Sequence, residues 1–134
     1  MRSSKRESLY MKRFEQVKAN FERALKALED AMGMATADLE IDGALQRFEF
    51  TFELFWKFLK SHLERQGIIT NTPKQCFKEA YQVGLLEEEE TVLQMLDDRN
   101  QTVHLYDLKT SREIFQRVKA TYVAIFRSVL NRGE

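Results

Sequence analysis

LEIDGALQRFEFTFELFWKFLKSHLERQ, residues 39–66, is the stretch whose reading decides the fold. At about 100° per residue, Leu45, Phe48, Phe52, Phe55, Trp56, Leu59 and Leu63 share one face of a helix, while Phe50, Leu54 and Phe58 fall nearly opposite. Gln46, Glu53, Lys57, Lys60 and Glu64 crowd into the strip that remains. A helix on the rim of a monomeric bundle needs a much narrower apolar stripe. This helix is therefore central, or also faces a second subunit, and the two readings are compatible. An aromatic cofactor box is disfavoured, because no polar group is placed among the rings to orient a ligand.

The flanking sequence reads as helices throughout. Upstream, Phe14, Val17, Phe21, Leu25, Leu28 and Met32 recur at three- and four-residue steps, a helix from about Ser8 to Met32. Gly33 to Asp38 forms the break. Downstream, Gly67 suits a C-terminal cap. Thr72-Pro73-Lys74-Gln75 opens a third, short helix with a threonine cap, proline at the first position and glutamine completing a capping box. That helix ends at Gly84. Glu87–Glu90 place carboxylates in the first turn of a fourth helix, where the dipole favours them; it continues to about Asn100 or beyond. Thr110-Ser111-Arg112-Glu113 reads as a second capping box before a fifth helix bearing Ile114, Val118, Tyr122, Ile125 and Val129 on one face. One proline and five glycines leave little punctuation for a sheet. The expectation is an all-α, antiparallel four- to five-helix bundle occupying residues 1–134 as one domain.

Composition excludes several functions. The 134 residues carry 21 basic and 21 acidic side chains, so no global basic field draws nucleic acid nonspecifically. The balance is uneven along the chain. Residues 1–28 hold eight Lys/Arg against three Glu, residues 109–134 six against two, and the charges in residues 86–98 are all acidic. Such polarity implies solvated helix faces; a basic groove or an intersubunit contact is the competing reading. Cys76 stands alone, which leaves no internal disulfide and no cysteine-based zinc site and fits a reducing, cytoplasmic compartment. Met1–Arg6 is basic, but no apolar region follows, so no signal peptide is expected. No apolar run approaches the roughly 20 residues that span a bilayer. A P-loop, a Rossmann glycine pattern and a nucleotidyltransferase Gly-Ser with paired aspartates are all missing, so any nucleotide transfer belongs to another chain.

Chemistry gathers at Asp97-Asp98-Arg99-Asn100-Gln101-Thr102-Val103-His104-Leu105-Tyr106-Asp107, where arginine, amide, imidazole and phenol meet as a helix gives way to a connection. Arg99 followed five residues later by His104 is a weak signal alone; Asn100, Tyr106 and the helix end sharpen it. The other histidine, His62, sits at the edge of an apolar face and reads as structural.

The run Arg99-Asn100-x-x-x-His104-x-Tyr106 resembles the signature of HEPN domains (higher eukaryotes and prokaryotes nucleotide-binding), and within them the branch called nucleotidyltransferase substrate-binding protein. Phe48-Glu49-Phe50-Thr51-Phe52-Glu53-Leu54-Phe55-Trp56-Lys57 resembles the second helix of that branch, and Ala80-Tyr81-Gln82-Val83-Gly84-Leu85-Leu86 its approach to the motif. The likeness runs from about residue 10 to 130. It implies a homodimer with the motifs near the two-fold axis, a minimal nucleotidyltransferase encoded nearby, and often a toxin–antitoxin pair. It further implies a metal-independent endoribonuclease that uses no cofactor, with Arg99 binding phosphate, Asn100 orienting and His104 as acid/base. Tyr106 matches the tyrosine that the partner adenylylates in some members. The alternative it allows is a non-catalytic substrate-binding subunit of the nucleotidyltransferase.

The residue types suit that chemistry. Imidazole takes and returns a proton near neutral pH, and a guanidinium is a permanent forked donor for the charge on a phosphorane. In an ideal helix Asn100 and His104 share a face. Cleavage wants both a base and an acid, and a dimer pairing two His104 side chains supplies them. The competing reading has Arg99 paired with Asp97, Asp98 or Asp107 to fix the helix end, with His104 and Tyr106 packed in the connection.

Overall fold

The computed structural model describes residues 2–104 and 107–132. Its helices are α1 (Arg2–Met34), α2 (Asp38–Glu64), α3 (Pro73–Gln82), α4 (Glu90–Thr102), α5 (Leu108–Arg117) and α6 (Val123–Arg132). The last two are joined without a break by a π-helical turn, Val118–Tyr122, into one rod. The result is an all-α antiparallel bundle of five rods.

The amphipathic pattern of α2 explains the arrangement. Phe48, Phe52, Phe55, Phe58, Leu59 and Leu63 are all buried, so Phe58 of the second apolar face joins the core as fully as the first. Helices α1, α3, α4 and α5 pack around α2, which is the central element. The rings interlock: Phe55 lies 4.9 Å from Phe126 of α6, Phe48 stacks on Tyr122 at 5.9 Å, and Phe52 meets Phe77 of α3 edge-on at 5.9 Å. Burying each such side chain contributes about 2–3 kcal/mol. The remaining two positions behave differently: Leu54 is half-buried and Phe50 is 63% exposed.

Capping chemistry sets the boundaries. The Glu40 carboxylate accepts the Ala37 and Thr36 amides ahead of α2 at 2.8 and 3.2 Å, and these bonds hold its pKa below the usual range. Beyond α2, the Ile68 amide reaches back to Leu63 O (3.0 Å) around Gly67, whose φ of +81° is the left-handed value glycine adopts freely. At α3, Thr72 Oγ1 accepts the Gln75 amide as expected, but Gln75 Oε1 reaches past the cap to the Asn71 amide.

Several boundaries differ from expectation. Helix α1 continues through Gly33 to Met34. Helix α4 begins only at Glu90: Glu87 turns to Arg132, and Glu88 accepts from the Thr91 hydroxyl at 2.7 Å. The fifth rod is capped by Asp107, not by a Thr110–Glu113 box. Asp107 Oδ1 accepts the Lys109 amide (3.0 Å) and Oδ2 the Thr110 hydroxyl (2.9 Å), and the Thr110 bond first, then the amide, lowers its pKa. The carboxylate engages the first turn three residues earlier and makes Thr110 its donor.

The π turn answers another difference. Tyr122 enters the core with Phe126, while Ile125 is only half-buried. In a regular α-helix, residues five apart diverge by about 140°. The Val123 amide bonds to Val118 O, so one extra residue fits into the turn, and Arg117 and Tyr122 come to one side. Both then reach Asp98 of α4, which is buried: Arg117 forks onto its two oxygens at 2.7 and 2.9 Å, and the Tyr122 hydroxyl donates at 2.5 Å. Burial, then the bond to this carboxylate, pushes the Tyr122 phenol well above its ordinary pKa.

Asp98→Ala is expected to lower the unfolding free energy by about 2–3 kcal/mol, mostly from the stranded Tyr122 hydroxyl, since Arg117 is a third exposed and can return to water. Asp98→Asn, which keeps one acceptor, should cost about half as much. Denaturant titration of the three proteins measures both.

Candidate functional site

The motif straddles the end of α4. Arg99 lies in its last turn, where a cation complements the dipole. Asn100 is exposed one residue on. His104 lies outside the helix, exposed, in a turn whose amide bonds to Gln101 O at 3.0 Å. Asn100 thus lies within α4, which ends at Thr102, and His104 follows in the turn beyond it. Tyr106 and Leu105 lie outside the described residues.

Arg99 does not pair with Asp97, Asp98 or Asp107. Asp98 is committed to Arg117 and Tyr122, and Asp107 to its cap. Instead Arg99 crosses to α2, where Nη2 donates to Glu53 Oε1 at 2.7 Å. Glu53 is itself held, its other oxygen accepting the Trp56 indole N–H at 3.2 Å. The guanidinium also lies over the Phe52 ring, 5.8 Å from the centroid. On its other side Nη1 donates to Asn100 Oδ1 at 3.3 Å. The fork is thus gripped from two directions, yet the Arg99 side chain stays 29% accessible. Each Nη group keeps a second hydrogen for an anion.

Glu53 and Trp56 are the residues that sequence reasoning missed as site elements. Glu53 looked like one more member of a solvated strip. Nothing set it apart from the other charges of that helix, such as Glu49, which also stands between two rings.

Beside the motif, Thr102 and Val103 border a polar cleft of about 390 Å³ shared with Asp42, Gln46, Glu49 and Ser111. A larger groove of about 750 Å³ runs between α1 and α2, floored by small residues such as Ala24, Ala27 and Ala31 and walled by Phe50 and Leu54. Its lining includes none of Arg99, Asn100 and His104.

In the basic C-terminal stretch Lys109, Arg112, Glu113, Gln116 and Arg117 line a shallow cleft of about 580 Å³, but its arginines are paired. Arg112 pairs with Asp38, Arg117 with Asp98, Arg127 with Glu29 and Arg132 with Glu87, each on another part of the chain. Cys76 is buried, and burial pushes its thiol up to about 11, which leaves it protonated at neutral pH. His62 packs edge-on against Phe14 and Phe58, the structural role expected of it. Among the described residues no cluster of three or more His, Cys, Asp or Glu is placed to hold a metal ion, and no helix is long and apolar enough to cross a membrane.

A family model described as nucleotidyltransferase substrate binding protein like matches residues 12–134. A curated Haemophilus influenzae protein named "Probable ribonuclease HepT" is 31% identical over 86 residues, which cover 60% of this chain and 59% of the relative's length. Among solved structures, a Thermus thermophilus protein is 40% identical with a TM-score of 0.80, over 85% of this chain and 98% of that one. A Haemophilus influenzae structure described as the fold of a substrate binding domain of a nucleotidyltransferase superposes with a TM-score of 0.76 at 24% identity, over 87% of this chain and 98% of that one.

Proposed function

Because the chain belongs to the nucleotidyltransferase substrate binding protein-like family, we propose that it is a HEPN-type partner of a minimal nucleotidyltransferase and acts as a dimeric, metal-independent endoribonuclease toxin in the cytoplasm. One observation carries this reading: Arg99, gripped by Glu53 and Asn100 at the end of α4, still presents donors to solvent just ahead of an exposed His104. In the proposed reaction one His104 takes the proton of an RNA 2′-hydroxyl, whose oxygen attacks the adjacent phosphorus. Arg99 stabilises the charge on the phosphorane. The 5′-oxygen leaves with a proton from the partner subunit's imidazole, and a 2′,3′-cyclic phosphate remains. Asn100 orients the guanidinium. The name of the Haemophilus influenzae relative supports this reading. The family description favours a second one, a non-catalytic subunit that presents substrate to the nucleotidyltransferase.

Cleavage of single-stranded RNA in the presence of a chelator separates the two. Arg99→Ala and His104→Ala are each expected to lower the rate by at least about 100-fold with the helical signal unchanged. Absence of cleavage by the native chain, or full activity in either variant, refutes the ribonuclease reading.

The dimer is proposed to form through a surface including Phe50, a large ring left in water on the helix that organises the core. Sedimentation equilibrium at micromolar concentration should give twice the 15.9 kDa chain mass, and Phe50→Asp should shift the distribution toward monomer. A native monomer at that concentration contradicts the proposal.

For regulation we propose that the nucleotidyltransferase partner attaches AMP to Tyr106. The added negative charge and bulk, two residues from His104, would compete for Arg99 with RNA phosphate. Incubation with that partner, ATP and Mg²⁺ should add one adenylyl mass, and none in Tyr106→Phe. An adduct that persists in the phenylalanine variant places the modification elsewhere.

A further inference from the structure

We infer that Glu53 is a positioning residue for Arg99: from α2 it sets the direction of the guanidinium fork on α4 and tempers its charge. The inference rests on the reading of Arg99 as the phosphate-binding group. Three distances make the case. Glu53 Oε1 receives Arg99 Nη2 at 2.7 Å, its Oε2 receives the Trp56 indole at 3.2 Å, and the guanidinium spans Phe52 at 5.8 Å from the ring centre. Phe52, Glu53 and Trp56 lie on α2, so one segment fixes the carboxylate by its second oxygen and backs the guanidinium with a ring. Arg99 Nε is buried and has no hydrogen-bond partner among the described residues. Substrate therefore meets the Nη edge only, the edge whose orientation Glu53 and Asn100 decide.

An unheld arginine side chain samples many rotamers, and its fork meets a phosphate productively in few of them. The pair has a second consequence. A carboxylate at hydrogen-bond distance weakens the attraction of Arg99 for any phosphate, in the ground state as well as in the transition state. Glu53 thus exchanges some substrate affinity for alignment, and alignment is worth more to the reaction than to binding.

The two effects move kcat and KM in directions that loss of structure does not reproduce. In Glu53→Ala, kcat for RNA cleavage is expected to fall by about 10- to 100-fold, while KM falls by up to about fivefold as the carboxylate's opposing charge is removed. Glu53→Gln alone keeps an acceptor for Arg99 but turns its amide nitrogen toward the Trp56 N–H, donor against donor. The double variant Glu53→Gln with Trp56→Phe removes that conflict and should recover most of kcat, whereas Glu53→Ala with Trp56→Phe should not. Melting curves should change little, because the pair is partly exposed. Wild-type kcat in Glu53→Ala, a KM that rises, or no recovery in the Gln/Phe variant overturns the assignment and leaves Arg99 as the phosphate ligand. Full cleavage by Arg99→Ala measured alongside overturns the underlying reading, and the inference with it.

Discussion

Helix α2 must be buried on more than one side, and the other helices take their places from that requirement. Phe48, Phe52 and Phe55 share one face, and Phe58, three residues further on, extends it by about 60°, so the four rings span an arc of about 120°. No single partner helix can cover such an arc. Helix α1 covers one flank, α3 and α4 another, and the α5–α6 rod brings Tyr122 and Phe126 against Phe48 and Phe55. The charged side chains of α2 lie outside its buried face. Glu53 is one of them, and a carboxylate there, partly withdrawn from water, is better served by a cation from a neighbouring helix than by solvent alone. Arg99 supplies that cation.

The distribution of charge follows the same logic. Read along the chain, the C-terminal stretch is basic and the segment before α4 acidic. In space the basic stretch is offset by carboxylates from several elements: its arginines pair with Asp38 of α2, Asp98 of α4, Glu29 of α1 and, in the acidic segment, Glu87. The exposed pairs among them contribute little individually, about 0–1 kcal/mol, but they fix which face of the rod looks inward. They also remove the broad positive field that would attract nucleic acid without discrimination. Any recognition of phosphate by this chain has to be local, at a guanidinium presented in a defined direction.

The sequence made the helices and the central place of α2 legible because periodicity is a property of local spacing. Phe58 fell on the secondary apolar face by angle alone and still reached the core, because α1 covers that side as well: Phe14 and Phe21 lie 5.5 and 5.4 Å from its ring. Boundaries were read less well where two capping residues competed, as at Asp107 and Thr110. The π turn was invisible: nothing in Val118-Lys119-Ala120-Thr121-Tyr122 announces an extra residue, which is retained because Arg117 and Tyr122 both bond Asp98 across the bundle. Glu53 escaped for a related reason. Its partner is 46 positions away, and pairings at that separation leave no periodic trace. Arg99, Asn100 and His104 were found as a cluster because they are neighbours in the chain.

Asp98 and Arg99 are adjacent in sequence and serve different sides of α4. Successive residues on a helix point about 100° apart. Asp98 therefore turns toward the last rod, where Arg117 and Tyr122 hold it, and Arg99 turns toward α2, where Glu53 holds it. Two such anchors, on neighbouring residues and different partners, fix the rotation of α4 about its own axis, which one anchor leaves free. The rotation matters because α4 ends four residues after Asp98, so its setting decides where the following turn, with His104, leaves the bundle. The π turn thus bears on the motif although it contains none of its residues. It lets Tyr122 and Arg117 share Asp98, Asp98 sets the angle of α4, and that angle aims Arg99 at Glu53.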